Sequence, residues 1–151
     1  MILEPGTAAP DFALPNQFGR TVALGDFRGV SPLTLVFFPL AFSRTCQGEL
    51  CELRDHLELF ADAGSRLVAI SVDSKHSLRA WAEEQGYDFP LLADFWPHGE
   101  VARAYGAFNE ERGYASRATF VIDVDGVIRS SFATAPGEAR TLEQYRAALA
   151  S

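Results

Sequence analysis

The chain contains two thiols, Cys46 and Cys51, and a thiol becomes a nucleophile when it ionises. Cys46 lies between an apolar, β-prone run and a set of leucines spaced as on one face of a helix. A thiol in the first turn of a helix faces unpaired backbone amides and the positive end of the helix dipole, which favour the thiolate. The sequence therefore predicts a reactive thiol at Cys46. A buried, unreactive cysteine is the alternative, because free cysteines are often small core residues.

The residues on either side of Cys46 indicate the elements that position it. Residues 33–38 predict a strand, and Pro39 ends the strand because proline cannot donate to a sheet ladder. Ser43 is predicted as the N-cap of the next helix, which places Cys46 at the third helical position. The helix is predicted to run to about residue 63, from apolar residues spaced by three, four and three positions: Leu50, Leu53, Leu57 and Phe60.

The remainder of the chain alternates between strand and helix patterns. Short strands at residues 12–14 and 21–24 are predicted to form an N-terminal β-hairpin. Two strand–helix–strand passages and a C-terminal hairpin indicate an α/β fold with a mixed central sheet flanked by helices. The further elements predicted are strands at 66–72, 90–93, 118–124 and 127–132, helices at 75–85, 100–105 and 141–150, and a polar loop at 107–115.

Length and charge narrow the class of protein. A chain of 151 residues predicts a single domain, residues 1–151, with one well-filled core. Its net charge of −7 argues against partners such as nucleic acid or an anionic membrane. It has no run of about 18 apolar residues and no signal-peptide pattern at its start. We expect a cytoplasmic protein whose thiols are kept reduced between turnovers.

Pro39, Ser43 and Cys46 match the P-x-x-x-[TS]-x-x-C signature of the peroxiredoxins, and the chain resembles that family over nearly its whole length. Further likeness lies in residues 6–12, 89–94 and 117–123. The sequences of residues 37–42 and 94–99 are most similar to those of the AhpE group of small peroxiredoxins. The resemblance implies a thioredoxin-like fold and a thiol-dependent peroxidase, which reduces hydrogen peroxide, organic hydroperoxides or peroxynitrite through a cysteine sulfenic acid.

The resemblance also implies roles for individual residues. Cys46 would attack the peroxide, the Ser43 hydroxyl would bond the thiolate and the peroxide, and Pro39 would shield the thiolate from water. Arg117 matches the distant arginine that peroxiredoxins place over the sulfur, although its residue type alone predicts a surface position. Glu49 either complements the helix dipole or anchors Arg117 or another cation. Ser43 as a plain N-cap is compatible with its catalytic role.

Cys51 leaves two alternatives open. The Cys46-x4-Cys51 spacing resembles the bacterioferritin-comigratory (PrxQ) peroxiredoxins, some of which have a resolving cysteine five places on, whereas the AhpE group as a rule does not. In an intact helix, Cα atoms five residues apart are separated by about 8.7 Å, beyond the roughly 7 Å limit for a disulfide. A disulfide would require the first turns to unwind, which Gly48 favours. Otherwise Cys51 is a bystander and an external thiol reduces Cys46.

The expected partners are a peroxide substrate and an external thiol or a thioredoxin- or glutaredoxin-like reductant. We expect no cofactor and no metal, because the sequence has neither a phosphate-binding glycine loop nor a metal-ligand spacing. The resemblance implies a homodimer, with residues 40–42, 95–96 and 105–108 as candidate contacts or, alternatively, ordinary core. The rival function is a non-catalytic thioredoxin-fold binding or chaperone-like module in which Cys46 is inert.

Overall fold

The computed structural model describes residues 1–151 and contains nine strands and five α-helices. In chain order they are β1 (Ala13–Pro15), β2 (Thr21–Ala23), β3 (Leu33–Phe37), α1 (Arg44–Asp55), α2 (Glu58–Asp62), β4 (Arg66–Ser71), α3 (Lys75–Gln85), β5 (Leu91–Ala93), α4 (Glu100–Ala104), β6 (Phe108–Asn109), β7 (Tyr114–Ala115), β8 (Arg117–Ile122), β9 (Ile128–Thr134) and α5 (Leu142–Leu149). None of the helices has the length and apolarity needed to cross a membrane.

Five strands form the central sheet, in the order β5-β4-β3-β8-β9. Strands β3, β4 and β5 are parallel, whereas β8 runs antiparallel to β3 and β9 antiparallel to β8, so the sheet is mixed as predicted. β1 and β2 form the predicted N-terminal hairpin. Because β3 and β8 are neighbours, residues near position 37 lie close to residues near position 118.

The sheet separates two apolar clusters because successive side chains of a strand point to opposite faces. On one face, Leu33, Leu35 and Phe37 pack with α4 and the N-terminal segment. On the other face, Val36 packs with residues of α1, α2, α3 and α5, and Cys46 belongs to this second cluster. All five residues of β3 are buried, which explains why its sequence is apolar except for Thr34. Helices α1 and α5 are thus held against the face of the sheet that contains the site.

Two expectations about local structure are wrong. The single helix predicted to run to residue 63 is broken at His56, whose backbone (φ −130°, ψ 37°) leaves the helical region. The apolar spacing continues past the break because Leu57 and Phe60 pack against the same apolar cluster as the leucines of α1. The predicted polar loop 107–115 instead contains a small antiparallel pair, β6 and β7, joined by a turn in which Asn109 accepts backbone hydrogen bonds.

Candidate active site

Cys46 lies at the third helical position of α1, as predicted, and its side chain is completely buried. The first intrahelical hydrogen bond runs from the Gln47 amide to the Ser43 carbonyl, so the amides of residues 44–46 precede the hydrogen-bonded part of the helix. The Cys46 Sγ accepts a hydrogen bond from Arg117 Nη1 at 3.2 Å. The sulfur is therefore enclosed by apolar residues on one side and contacts a guanidinium on the other.

Arg117 is the first residue of β8 and is buried, with 6% of its side chain exposed. The surface position predicted from its residue type is wrong. Burial is tolerated because Nη1 also donates to Glu49 Oε1 at 2.6 Å, which gives the guanidinium a buried carboxylate partner. The pairing of β3 with β8 brings Arg117 to α1, 71 positions away from Cys46 in sequence. One buried nitrogen of Arg117, Nε, has no hydrogen-bond partner.

Glu49 is buried one turn after Cys46 and accepts four hydrogen bonds from two arginines. One comes from Arg117, and three come from the backbone amide, Nε and Nη2 of Arg140, at 2.7, 3.0 and 3.1 Å. Burial acts to raise the pKa of Glu49, but the charge and hydrogen bonds of Arg140, with the charge of Arg117, outweigh it and hold the pKa below its ordinary value. Glu49 is therefore ionised at neutral pH.

Arg140 is the residue of this site that the sequence reasoning missed. Its side chain is wholly buried, and besides Glu49 it donates from Nη1 to the Ala118 carbonyl and to Thr119 Oγ1. It lies in the loop before α5, just ahead of the helix N-cap Thr141, where nothing in the local pattern distinguishes it from a surface arginine. The two arginines carry two positive charges against the single negative charge of Glu49, so one positive charge beside Cys46 is left without a carboxylate.

The structure places Ser43 at the N-cap by backbone conformation, but its hydroxyl makes no capping bond. Instead Oγ donates to the Leu40 carbonyl at 2.7 Å, because Leu40 lies within reach across the turn that precedes α1. The predicted N-cap position of Ser43 is therefore confirmed, but its side chain does not supply a capping hydrogen bond. Pro39 is buried just after β3, and together with Arg117 it lines a cavity of about 50 Å³ that also contacts Asn109, Tyr114 and Ser116.

Cys51 is partly buried and is a free thiol, as is Cys46. Its Sγ lies 3.3 Å from the Tyr87 hydroxyl and 3.5 Å from Gln85 Oε1, on the side of α1 that faces α3. Burial, and next the hydrogen bond with Cys51, raise the pKa of Tyr87 well above its ordinary value, so its hydroxyl is neutral at physiological pH. The same hydroxyl donates to the Gln47 carbonyl at 3.4 Å. These contacts tie α1 to the end of α3.

No group of three or more His, Cys, Asp and Glu side chains is arranged to hold a metal ion. Arg44, at the first helical position, is exposed. The charged contact to the sulfur therefore comes from Arg117 on β8, and not from Arg44, which is close to Cys46 in sequence.

A family model described as the AhpC/TSA family matches residues 5–131. The chain belongs to this family. It is 49% identical to alkyl hydroperoxide reductase E of Mycobacterium tuberculosis (strain ATCC 25618 / H37Rv) over 150 aligned residues. These residues cover 99% of this chain and 98% of that protein. It is 34% identical over 136 residues to peroxiredoxin Bcp of Escherichia coli (strain K12), over 86% and 85% of the two chains. The crystal structure of Enterococcus faecalis AhpC superposes with a TM-score of 0.88 at 28% identity, over 99% and 92% of the two chains.

These matches confirm the peroxiredoxin resemblance, including its likeness to the AhpE group. They also confirm the thioredoxin-like fold, with its mixed sheet, flanking helices and N-terminal strand pair. The chain is a thiol-dependent peroxidase of the peroxiredoxin family.

Proposed function

We propose that Cys46 is the thiol that reduces the peroxide. The Cys46 thiolate attacks the terminal oxygen of a peroxide ROOH, the O–O bond breaks, and a proton joins the departing oxygen to give ROH and a cysteine sulfenic acid. The observation that supports this assignment is the 3.2 Å contact between Arg117 Nη1 and the buried Cys46 Sγ. An unreactive core cysteine has no need of a buried guanidinium at hydrogen-bond distance.

The electrostatics of the site support the same assignment. A thiolate at Cys46 would balance the one positive charge that Glu49 leaves uncompensated on Arg117 and Arg140. Buried charges are stable only when they are paired, so this arrangement favours the ionised sulfur over the neutral thiol. The donors of Arg117 are also placed to stabilise negative charge as it moves onto the leaving oxygen. Pro39, buried beside the cavity, would limit access of water to the sulfur.

Ser43 and Glu49 complete the proposed machinery in different ways. The Ser43 hydroxyl lies in the turn before Cys46, where rotation away from the Leu40 carbonyl would let it bond a peroxide. Glu49 holds Arg117 against the sulfur through its 2.6 Å hydrogen bond, and all the hydrogen bonds of its carboxylate go to Arg117 and Arg140. We propose hydrogen peroxide, organic hydroperoxides or peroxynitrite as substrates, an external thiol or a thioredoxin- or glutaredoxin-like protein as reductant, a cytoplasmic location, and one domain spanning residues 1–151.

The test is rapid mixing of the fully reduced protein with one equivalent of hydrogen peroxide, with loss of free thiol followed over time. We expect the wild type and the Cys51→Ser variant to lose the Cys46 thiol quickly, and Cys46→Ser to show no fast phase. Cys51→Ser is the matched control because it removes the other thiol and leaves the guanidinium contact intact. A wild-type rate no faster than that of free cysteine would favour the rival, a non-catalytic binding or chaperone-like module.

We further propose that Cys51 is a resolving thiol only if the first turns of α1 unwind. α1 is continuous from Arg44 to Asp55, and Cys51 is directed toward Tyr87 and Gln85 rather than toward Arg117. Mass analysis after peroxide treatment distinguishes the two cycles. Loss of two hydrogens would indicate a Cys46–Cys51 disulfide, whereas gain of one oxygen at Cys46 would indicate a one-cysteine cycle that depends on an external reductant.

We propose a homodimer that uses part of the exposed aromatic surface. Phe95 and Trp96 are 53% and 80% exposed, and Leu40 and Phe42 also lie at the surface, which supports residues 40–42 and 95–96 as contacts. In the segment 105–108, Tyr105 is completely buried. This burial favours the alternative interpretation of that segment, ordinary core packing, over a dimer contact. Sedimentation of the wild type and of Trp96→Ser tests the proposal: a dimer that the substitution dissociates is expected, and a monomeric wild type would contradict it.

A further inference from the structure

The loop between β3 and α1 is tied to the rest of the sheet by a carboxylate outside the peroxiredoxin signature. Asp73 follows the carboxyl end of β4, and its Oδ2 accepts a hydrogen bond from the Ala41 amide at 2.7 Å. The same oxygen accepts from the Ser71 hydroxyl at 2.6 Å, and Ser71 is completely buried as the last residue of β4. Asp73 therefore joins the backbone of the active-site loop to the body of the sheet.

This loop has a conformation that needs such support. Phe42 has a φ of +66°, in the left-handed region that residues with a Cβ seldom adopt, and it is the only such residue other than glycine in the chain. At the start of the loop, the Phe38 amide donates to the Ile70 carbonyl of β4 at 3.0 Å. Nearer to α1, the hydrogen bond from Ser43 Oγ to the Leu40 carbonyl joins two loop residues to each other and does not fix them to the sheet. Phe42 is 47% exposed, and the centroid of its ring lies 6.1 Å from that of the Trp81 ring.

We propose that Asp73 is a positioning residue for the peroxidase reaction, an inference that depends on the proposed function of Cys46. By holding the Ala41 amide, Asp73 fixes the strained turn that leads through Ser43 into the first turn of α1. That turn sets the direction in which the Cys46 sulfur meets Arg117 Nη1. The Asp73 carboxylate hydrogen-bonds to Ala41 and Ser71, and neither to the sulfur nor to Arg117, so in this proposal it acts through the loop.

If Asp73 acts by positioning the loop, its removal should shift the pH of Cys46 thiolate formation in the direction opposite to that of a purely electrostatic effect. Asp73 carries negative charge, so deleting that charge alone would favour the thiolate and move its titration to lower pH. Releasing the loop would instead withdraw the sulfur from the guanidinium, move the titration to higher pH and slow peroxide attack. Asp73→Ala removes both the charge and the acceptor. Asp73→Asn removes the charge but keeps one oxygen that can accept from the Ala41 amide.

The experiment compares Asp73→Ala, Asp73→Asn and the surface control Asp62→Ala, each with Cys51→Ser so that one thiol is followed. The measurements are the second-order rate with hydrogen peroxide, the pH midpoint of thiolate formation, and hydrogen exchange at the Ala41 amide. For Asp73→Ala we expect a rate loss of tenfold or more, a higher midpoint and faster exchange. Asp73→Asn is expected to recover the rate to within about threefold, and Asp62→Ala to match the wild type.

A wild-type rate and midpoint in Asp73→Ala would overturn the inference, and so would a midpoint that falls equally in both Asp73 variants. If Asp73→Ala does not fold, Ser71→Ala replaces it, because this variant removes one of the two hydrogen bonds that orient the carboxylate. Ser71→Ala is expected to slow the reaction severalfold and to speed Ala41 exchange, and unchanged values would overturn the inference. A wild type that is itself no faster than free cysteine refutes the proposed function instead.

Discussion

Glu49→Gln would remove the negative charge that holds two buried arginines together. The wild-type carboxylate accepts four hydrogen bonds, all from Arg117 and Arg140. A glutamine side chain keeps only one oxygen acceptor, and its amide group would point hydrogen atoms at guanidinium or backbone donors. The substitution therefore leaves two buried positive charges with no carboxylate between them.

Removing one partner of a buried ion pair costs about 3–5 kcal/mol, and we expect Glu49→Gln to lower the free energy of unfolding by that amount at pH 7. This is a large part of the roughly 5–15 kcal/mol that stabilises a typical domain. The matched control is Glu83→Gln, which breaks an exposed ion pair with Arg79 one helical turn away. That control is expected to cost only about 0.3–0.5 kcal/mol.

The pH dependence gives the prediction a second, independent readout. The pKa of Glu49 in the folded protein is held below its ordinary value, so its contribution to stability is fully present above the unfolded-state pKa of about 4.3. That contribution is lost as the pH falls through the folded-state pKa. The difference in unfolding free energy between wild type and Glu49→Gln should therefore be constant above about pH 5 and should shrink in more acidic solution.

Urea unfolding of both proteins, followed by circular dichroism between about pH 7 and pH 3, measures this difference, since the other carboxyl groups are common to both. The wild type must unfold reversibly for the comparison to hold, and Glu83→Gln is measured in parallel. A difference below about 1 kcal/mol at pH 7 would refute the argument, as would a difference that grows on acidification. Either result would mean that Glu49 does not hold the arginines through its charge.

Three further outcomes follow from the same geometry. Arg117→Ala should slow the reaction of Cys46 with peroxide by roughly 10²–10³-fold and move thiolate formation to higher pH, measured by stopped-flow kinetics; an unchanged titration would remove Arg117 from the site. Arg140→Lys should also slow the reaction, because one ammonium cannot replace the four side-chain hydrogen bonds of the guanidinium, and a wild-type rate would contradict this. Ser43→Ala should cost less than about 1 kcal/mol in urea unfolding, whereas Thr141→Ala, which removes a capping hydrogen bond, should cost about 0.5–2 kcal/mol; the reverse order would contradict the capping assignment.

The boundaries of α3 show how much local sequence can determine. Ser74 caps the helix by accepting from the Ser77 amide, and Gly86 ends it in the left-handed conformation at φ +72°. Both signals depend on residues within one turn of the helix end, so they can be recognised without tertiary information. The third helical position of Cys46 followed in the same way, from Pro39 and the turn before α1.

The break at His56 shows where local reasoning fails. The apolar spacing of Leu57 and Phe60 continues that of α1, because both side chains still pack on the same cluster after the backbone has left the helix. A periodic pattern reports which side faces the core and not whether the backbone hydrogen bonds are continuous. Ser43 occupies the predicted N-cap position, but its hydroxyl does not cap the helix because it donates to a nearby carbonyl instead, a competition that local sequence does not reveal.

The sequence by itself determined the strand, the turn and the helix that present Cys46, because each depends on residues a few positions apart. The tertiary structure alone decided which charges surround the sulfur. Glu49 meets Arg117 and Arg140 from 68 and 91 positions away, through the pairing of β3 with β8 and the packing of the loop before α5. A charged side chain is stable in the core only if its partners arrive with it, and that condition is met by the order of the strands and not by local sequence.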